Sequence, residues 1–441
     1  MSSEFNNLHA EPLAAQTVVA CPPMVFLNAS LDCFLKEANS IDPICDEIKL
    51  RESIDLHYSL PEQDRNESRS LCFNNIIILA TTAQLRIAGE SAAINGMERE
   101  LLKSFLSNTT RAFRNLDAFC SPSILSVQAL ITSTFVAREH FPQSVADALC
   151  HRVCNVARTM GLQQSYVLDG TVVEPGGERE AIYWTLYIMD KHRTFLTGYP
   201  CNLSLFDSDL NLLNTNRSSR LWKLKLAQIY LMVIWEEIYI TLYSQKAMRL
   251  PAHQNLHKMT GTLFGLLRNW TSHYGQILGQ SLATDPSPAS YLQIELKYSF
   301  HIAQVLILRH SSIPSSVQLC IDNARAVVMV ILGLFRSAFM IGSMSLAARL
   351  FRNYPVVAFI KLYSSSFGAT TPQLASSLQL LLKCSSVLAS VKTTYQSPIA
   401  YYNRLYLGLA WYTDNLTIIL NAAEPKEPSL AQAALQHPLL F

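Results

Sequence analysis

Apolar residues recur at three- and four-residue intervals along almost the whole of this chain, and that period limits its fold more than any single motif does. The run SRSLCFNNIIILATTAQLRIA after Glu67 and the run MERELLKSFLSNTTRAF after Gly96 both place apolar side chains on one flank of an α-helix. Strand-like alternation is negligible. Hydrophobic residues make up 49% of the chain and charged ones 15%, against about 25% charged in an average globular protein, so the apolar mass demands a large buried core. With 15 Gly and 19 Pro in 441 residues, few stretches suit linkers. No self-similar period of about 20 to 50 residues stands out, which excludes a regular solenoid. The expected class is all-α: one large, irregular multi-helix body built as a non-repetitive helical array.

Local signals divide this array. Residues 1–24 mix Pro, Ser and Asn, and 29–60 has room for one short helix. Ser121-Pro122-Ser123 opens a helix carrying Val127, Leu130, Ile131 and Thr134 on one side, and His140-Phe141-Pro142 closes it. The next helix, 143–160, stops at Gly161, where a left-handed cap costs glycine little. A Gly- and Pro-rich loop, DGTVVEPGGE, leads to a helix over 179–197, in which Ile182, Leu186 and Met189 share a face widened by Trp184, Tyr187 and Ile188. Longer helices are expected over 221–250, 254–278, 291–310 and 315–335, with Asp285-Pro286-Ser287-Pro288 as the clearest break. Further helices follow Pro355, Pro372 and Pro398, and the end after Glu424 frays.

Charge and cysteine usage exclude several function classes. The net charge of +2 balances 35 basic against 33 acidic residues, and no run of four Lys/Arg occurs. Residues 1–50 hold Lys36 and Lys49 against seven acids, the wrong sign for an arm that neutralises phosphates. Ten cysteines stand singly, most amid apolar neighbours, a pattern of reduced thiols in a cytosolic or nuclear protein. The stretch 13–27 lacks a basic start and contains Pro22 and Pro23, so it does not read as a secretory signal. The most apolar segment, 326–348, is interrupted by Arg336 and falls short of the roughly 20 uncharged residues that span a bilayer.

Candidate chemistry is thin. Cys150-His151-x-x-Cys154 puts two sulfurs one helical turn apart without a second ligand set, so both are expected in the core. His253 and His257 lack the Glu that completes a zinc hydrolase helix. Glu236-Glu237 reads as a solvated helix face, because adjacent helical residues point about 100° apart. Asp207 and Asp209, flanked by Leu205, Phe206 and Leu210, suit a chain pinned along the body better than a magnesium site. No phosphate loop or nucleophile elbow is present, so no catalytic residue, cofactor ligand or metal ligand is assigned, and no cofactor is expected.

One constellation is specific: a helix running into Met160-Gly161-Leu162, an acidic-basic helix start at Glu178 and Arg179, and Trp184 followed six residues later by Asp190. A Gly198-Tyr199-Pro200 turn and an Asp207-Ser208-Asp209 segment complete it. This punctuation resembles the regulatory region, or middle homology region, of fungal binuclear zinc-cluster transcription factors. Their DNA-binding module begins Cys-x2-Cys-x6-Cys, a spacing this chain lacks. The chain also departs at Gln163, where His is frequent, and at Lys191, where Arg is usual.

The resemblance implies a regulatory domain over 67–296, preceded by a poorly ordered acidic segment 1–66. A helical extension over 297–422 would pack on the same body, before a frayed tail 423–441. It implies a nuclear transcription regulator or co-regulator, possessing DNA-binding and zinc only by family inheritance. Such a chain would reach DNA through a partner or through an upstream module absent from a truncated gene model. Metabolic genes are the implied targets, protein partners and a small-molecule effector the implied contacts, and no membrane or enzymatic role is expected. Gly161, Leu162, Trp184, Asp190, Gly198, Pro200, Asp207 and Asp209 are the implied structural and regulatory residues, with Trp184 as a core anchor. The competing class is an all-helical enzyme or small-molecule-binding protein whose site is scattered through the sequence.

Overall fold

A computed structural model describes residues 19–88, 95–165, 177–210, 219–249, 252–279, 287–336, 340–366, 377 and 379–384. Its α-helices are α1 (Met24–Phe34), α2 (Glu47–Ser59), α3 (Glu67–Ala88), α4 (Asn95–Arg114), α5 (Ile124–His140), α6 (Gln143–Thr159) and α7 (Glu178–Thr197). They continue with α8 (Arg220–Ile238), α9 (Gln245–Arg249), α10 (Ala252–Gly279), α11 (Pro288–Leu308), α12 (Pro314–Arg336), α13 (Met340–Asn353) and α14 (Val357–Ser366). Among the described residues there is no strand, so the fold is all-α and non-repetitive.

Side-chain caps start several of these helices. Asp46, Ser123, Ser219 and Ser287 each accept a hydrogen bond from the backbone N–H three residues on, which satisfies a donor the first turn leaves open. Pro288 occupies the first position of α11, where its missing N–H costs nothing.

The chain divides into two compact units, Met1–Asp190 with Cys201–Ser218, and Lys191–Pro200 with Ser219–Phe441. The division falls inside α7. In the first unit α3 packs against α1, α4 and α5, and α5 against α6. Helix α5 is buried on every side, its Ser126, Gln128, Thr132 and Ser133 included. A polar spine ties three helices together: Asn74 Nδ2 donates to Thr109 Oγ1 (2.9 Å), Thr109 Oγ1 to Asn75 Oδ1 (2.9 Å), and Asn75 Nδ2 to Ser133 Oγ (2.9 Å). Asn74 and Asn75 are fully buried, so these bonds fix the register of α3 against α4 and α5, because any slip leaves amides unpaired.

Residues 19–66 differ from the expected loose segment. They hold α1 and α2, with Leu27, Leu31, Phe34, Ile44, Leu50 and Ile54 in the core. Intervening acids such as Glu37, Asp42 and Glu47 dilute the apolar signal in this stretch, while the buried residues still fall at helical intervals. Residues 1–18 lie outside the described residues, as do 423–441.

In the second unit α11 packs against α8, α10 and α12, and α12 against α13 and α14. The expected helix over 221–250 is shorter: α8 ends at Ile238 in a π-helical turn, Tyr239–Tyr243, and α9 follows. The apolar segment 326–348 belongs to two helices, since α12 ends at Arg336 and α13 begins at Met340. Pro314–Leu334 has the length and apolarity to cross a membrane, yet its Cys320, Ala324, Val327, Val328 and Ile331 are fully buried in this unit.

Candidate functional site

The resemblance residues lie around the end of α6 and along α7. Helix α6 closes with Leu162 N–H donating to Ala157 O (3.0 Å) and Gly161 N–H to Arg158 O (3.0 Å), the paired bonds of a Schellman cap. Gly161 has φ +65°, and a Cβ there would stand 2.6 Å from Gln164 Oε1. Leu162, two residues past the cap, is buried. The chain leaving this cap is pinned by the Asp209 segment: Asp209 Oδ1 accepts from Ser165 N–H (2.6 Å), Oδ2 from Ser165 Oγ (2.9 Å), and Ser208 Oγ donates to Gln163 O (3.0 Å). Asp207 lies 3.9 Å from Arg158 and is half-exposed. Asp209 therefore holds chain, whereas Asp207 contributes only a half-exposed ion pair.

The start of α7 is anchored through Glu178. Its Oε1 accepts from Asp46 N–H (3.0 Å) and from Gln128 Nε2 (3.0 Å). Arg179 donates to Met160 O (3.3 Å), and burial lowers its pKa. One turn on, Trp184 is 2% exposed, packs edge-on against Tyr183 and Tyr187 with centroids 5.0 and 5.6 Å away, and donates its indole N–H to Glu180 Oε1 (3.3 Å). The expected core anchor is thus in the core, and buried Glu180 supplies its acceptor.

Asp190 is fully buried. Its Oδ2 accepts from the N–H groups of Asn202 (2.8 Å) and Leu203 (3.0 Å), and its Oδ1 from Asn202 Nδ2 (2.9 Å). A carboxylate out of water survives only with such partners, and here it fixes the chain that follows the Gly198-Tyr199-Pro200 turn. Asn202 is held in turn by His151 (Nδ1 to Oδ1, 2.8 Å). Buried Arg138 donates to Met189 O (3.2 Å), the carbonyl just before Asp190.

Within the second unit, Gly198 takes φ +75° and donates its N–H to Thr194 O (2.9 Å), while Arg193 donates to Pro200 O. Lys191 meets Glu236 at 3.1 Å with both side chains buried. This corrects the solvated reading of Glu236: helix α8 presents it inward, and the cation that compensates it comes from a residue 45 positions away, invisible to local sequence. His257 is exposed on α10, whereas the side chain of His253 and the segment 280–286 fall outside the described residues.

A third side chain joins the cysteine pair. The sulfurs of Cys150 and Cys154 and a carboxylate oxygen of Asp190 lie within 4.8 Å of one another, all buried. Spacing along α6 brings the two sulfurs together; only the packing of α7 adds the carboxylate.

Comparison with known proteins gives the arrangement its context. No family model matches the chain. It is 34% identical over 435 residues to a protein named transcription factor oryO, from Aspergillus oryzae, an alignment spanning 94% of this chain and 53% of that protein. It is 22% identical over 342 residues to transcription factor sphG of Aspergillus fumigatus, covering 74% of this chain and 45% of the relative. A putative transcription factor, phnE of Penicillium herquei, is 28% identical over 203 residues, 45% of this chain and 24% of that protein. The chain spans about half the length of the first two relatives. Over nearly its whole length, then, this all-helical chain is similar to part of proteins named as fungal transcription factors.

Proposed function

We propose that this chain is a transcription regulator whose helical body, with the regulatory domain over 67–296 and its extension over 297–422, works in the nucleus. The observation that carries this reading is the 34% identity along 94% of the chain to a protein named as a transcription factor. The arrangement of Trp184, Asp190 and the Gly161 cap supports it, because these residues of the resemblance each have a packing or hydrogen-bonding role. DNA is reached through a protein partner or through a separate zinc-cluster module, and the body acts as the part that partners and effectors bias. Metabolic genes are the proposed targets, and no enzymatic step is assigned.

The test is the location of the tagged protein at its native expression level. Fractionation and formaldehyde crosslinking in the producing fungus are expected to find it in nuclei and enriched at a discrete set of promoters. Uniform cytoplasmic signal without promoter enrichment would overturn the reading. The purified chain by itself is expected to show no sequence-selective binding to duplex DNA at about 0.15 M salt, where non-specific binders have dissociation constants of about 10⁻⁴ to 10⁻⁶ M.

A further inference from the structure

We propose that Cys150, Cys154 and Asp190 form a binding site for a thiophilic divalent cation, with zinc as the natural occupant. Three donor atoms of the right chemistry, two sulfurs and a carboxylate oxygen, lie within 4.8 Å of one another in the core of one unit. Zinc bonds thiolate at about 2.3 Å and carboxylate oxygen at about 2.0 to 2.2 Å, so a modest contraction of this set reaches coordinating distance. A tetrahedral zinc held by these three donors would take water as its fourth ligand.

Packing around the set suits such a site. Cys150 and Cys154 are one turn apart on α6, and both are 0% exposed. Asp190 is oriented by two backbone N–H groups and by the Asn202 amide. His151 belongs to the layer behind: Asn155 Nδ2 donates to its Nε2 (3.1 Å), so Nδ1 carries the proton and donates to Asn202 Oδ1 (2.8 Å). That chain of bonds fixes the carboxylate as supporting hydrogen bonds fix metal ligands elsewhere. Two thiolates and a carboxylate around a dication leave one excess negative charge.

Binding takes up one M²⁺ and releases the two thiol protons to solvent, forming two metal–sulfur bonds and one metal–oxygen bond. Because two protons leave, affinity rises with pH by up to about a hundredfold per unit while the thiols are protonated. The site would tie α6 to Asp190, and through it to the chain at Asn202 and Leu203. This inference does not rest on the transcriptional reading.

Cobalt(II) titration of the purified full-length chain under reducing conditions tests it. One equivalent is expected to produce thiolate-to-cobalt charge-transfer absorption, displaced by zinc, with affinity that rises steeply with pH. In Cys150→Ala/Cys154→Ala, with far-ultraviolet circular dichroism unchanged, the absorption is expected to vanish. Should that variant fail to fold, alkylation in sub-denaturing urea, where brief opening exposes core thiols, decides: one equivalent of zinc should slow the labelling of Cys150 and Cys154 in the wild-type chain and leave that of Cys320, buried in the other unit, unchanged. Absence of thiolate charge transfer, equal binding by the folded double variant, or zinc that leaves the alkylation of Cys150 and Cys154 unchanged would each overturn the proposal.

Discussion

Asp190→Asn is the most informative single substitution, because sequence and structure give opposite expectations for it. From sequence, Asp190 borders polar Lys191 and Arg193, and an amide could replace it with little loss of stability. In the structure it is fully buried and accepts three N–H bonds. Asparagine removes the charge from all three and turns an NH₂ group toward a donor. Hydrogen bonds to charged groups contribute about 1.5–3 kcal/mol each, and an unsatisfied buried donor costs about 1–3 kcal/mol. The three bonds share one side chain and are not additive, so the expected cost is about 3 kcal/mol. For a domain of about 150–250 residues that corresponds to roughly 6–12 °C in Tm. Thermal and urea melts of the full chain, with a chelator present to keep metal out of the comparison, read this directly. Asn202→Ala, which deletes one donor and keeps both backbone N–H groups, should cost less. If Asp190→Asn melts within about 2 °C of wild type, the carboxylate does not fix the chain after α7 and the site has been misread.

The remaining expectations concern other parts of the two units. Trp184→Ala should cost about 3–5 kcal/mol in urea melts, since a buried indole leaves a void its neighbours cannot close, and a loss under about 1 kcal/mol would contradict its anchoring role. Lys191→Met leaves Glu236 buried without its cation and should destabilise by about 3–5 kcal/mol, whereas Lys191→Met/Glu236→Leu should recover most of that loss; equal melts for the two variants would refute the pairing. Burial, with Arg65 and Arg69 nearby, lowers the His57 pKa from 6.5 to about 4. The unfolded chain therefore binds the proton first, and the associated stability is present above pH 6.5 and lost as pH falls toward about 4. His57→Gln should flatten that part of a stability-versus-pH profile, and an unchanged slope would contradict it.

Much of the fold was legible because helical period survives in sequence wherever one face is apolar, as in α3, α6 and α11. Less visible were helices that bury polar residues too. Ser126, Gln128, Thr132 and Ser133 on α5 look like a solvent face, yet their small or hydrogen-bonded side chains fit between α3 and α6. Asn74 and Asn75 likewise interrupt an apolar run, and only their partners on α4 and α5 explain them. In the site, the glycines announced themselves: Gly161 and Gly198 both take positive φ. Trp184 followed from the width of its apolar face. The resemblance singled out Asp190, but its burial and bonding did not follow, because its partners, Asn202 and Leu203, lie beyond a turn whose path the sequence leaves open. The Lys191–Glu236 pair and the approach of Asp190 to Cys150 and Cys154 depend on packing between separate elements, for which no local spacing rule exists.

The central claim, that this helical body regulates transcription, is tested most directly by tethering. The full chain is fused to an unrelated DNA-binding module in a fungal host, and transcription from a reporter bearing the module's sites is compared with the module alone. The wild-type chain is expected to change reporter output, and Asp190→Asn to diminish that change at equal protein level. A tethered chain that is stable, nuclear and without effect on the reporter would contradict it.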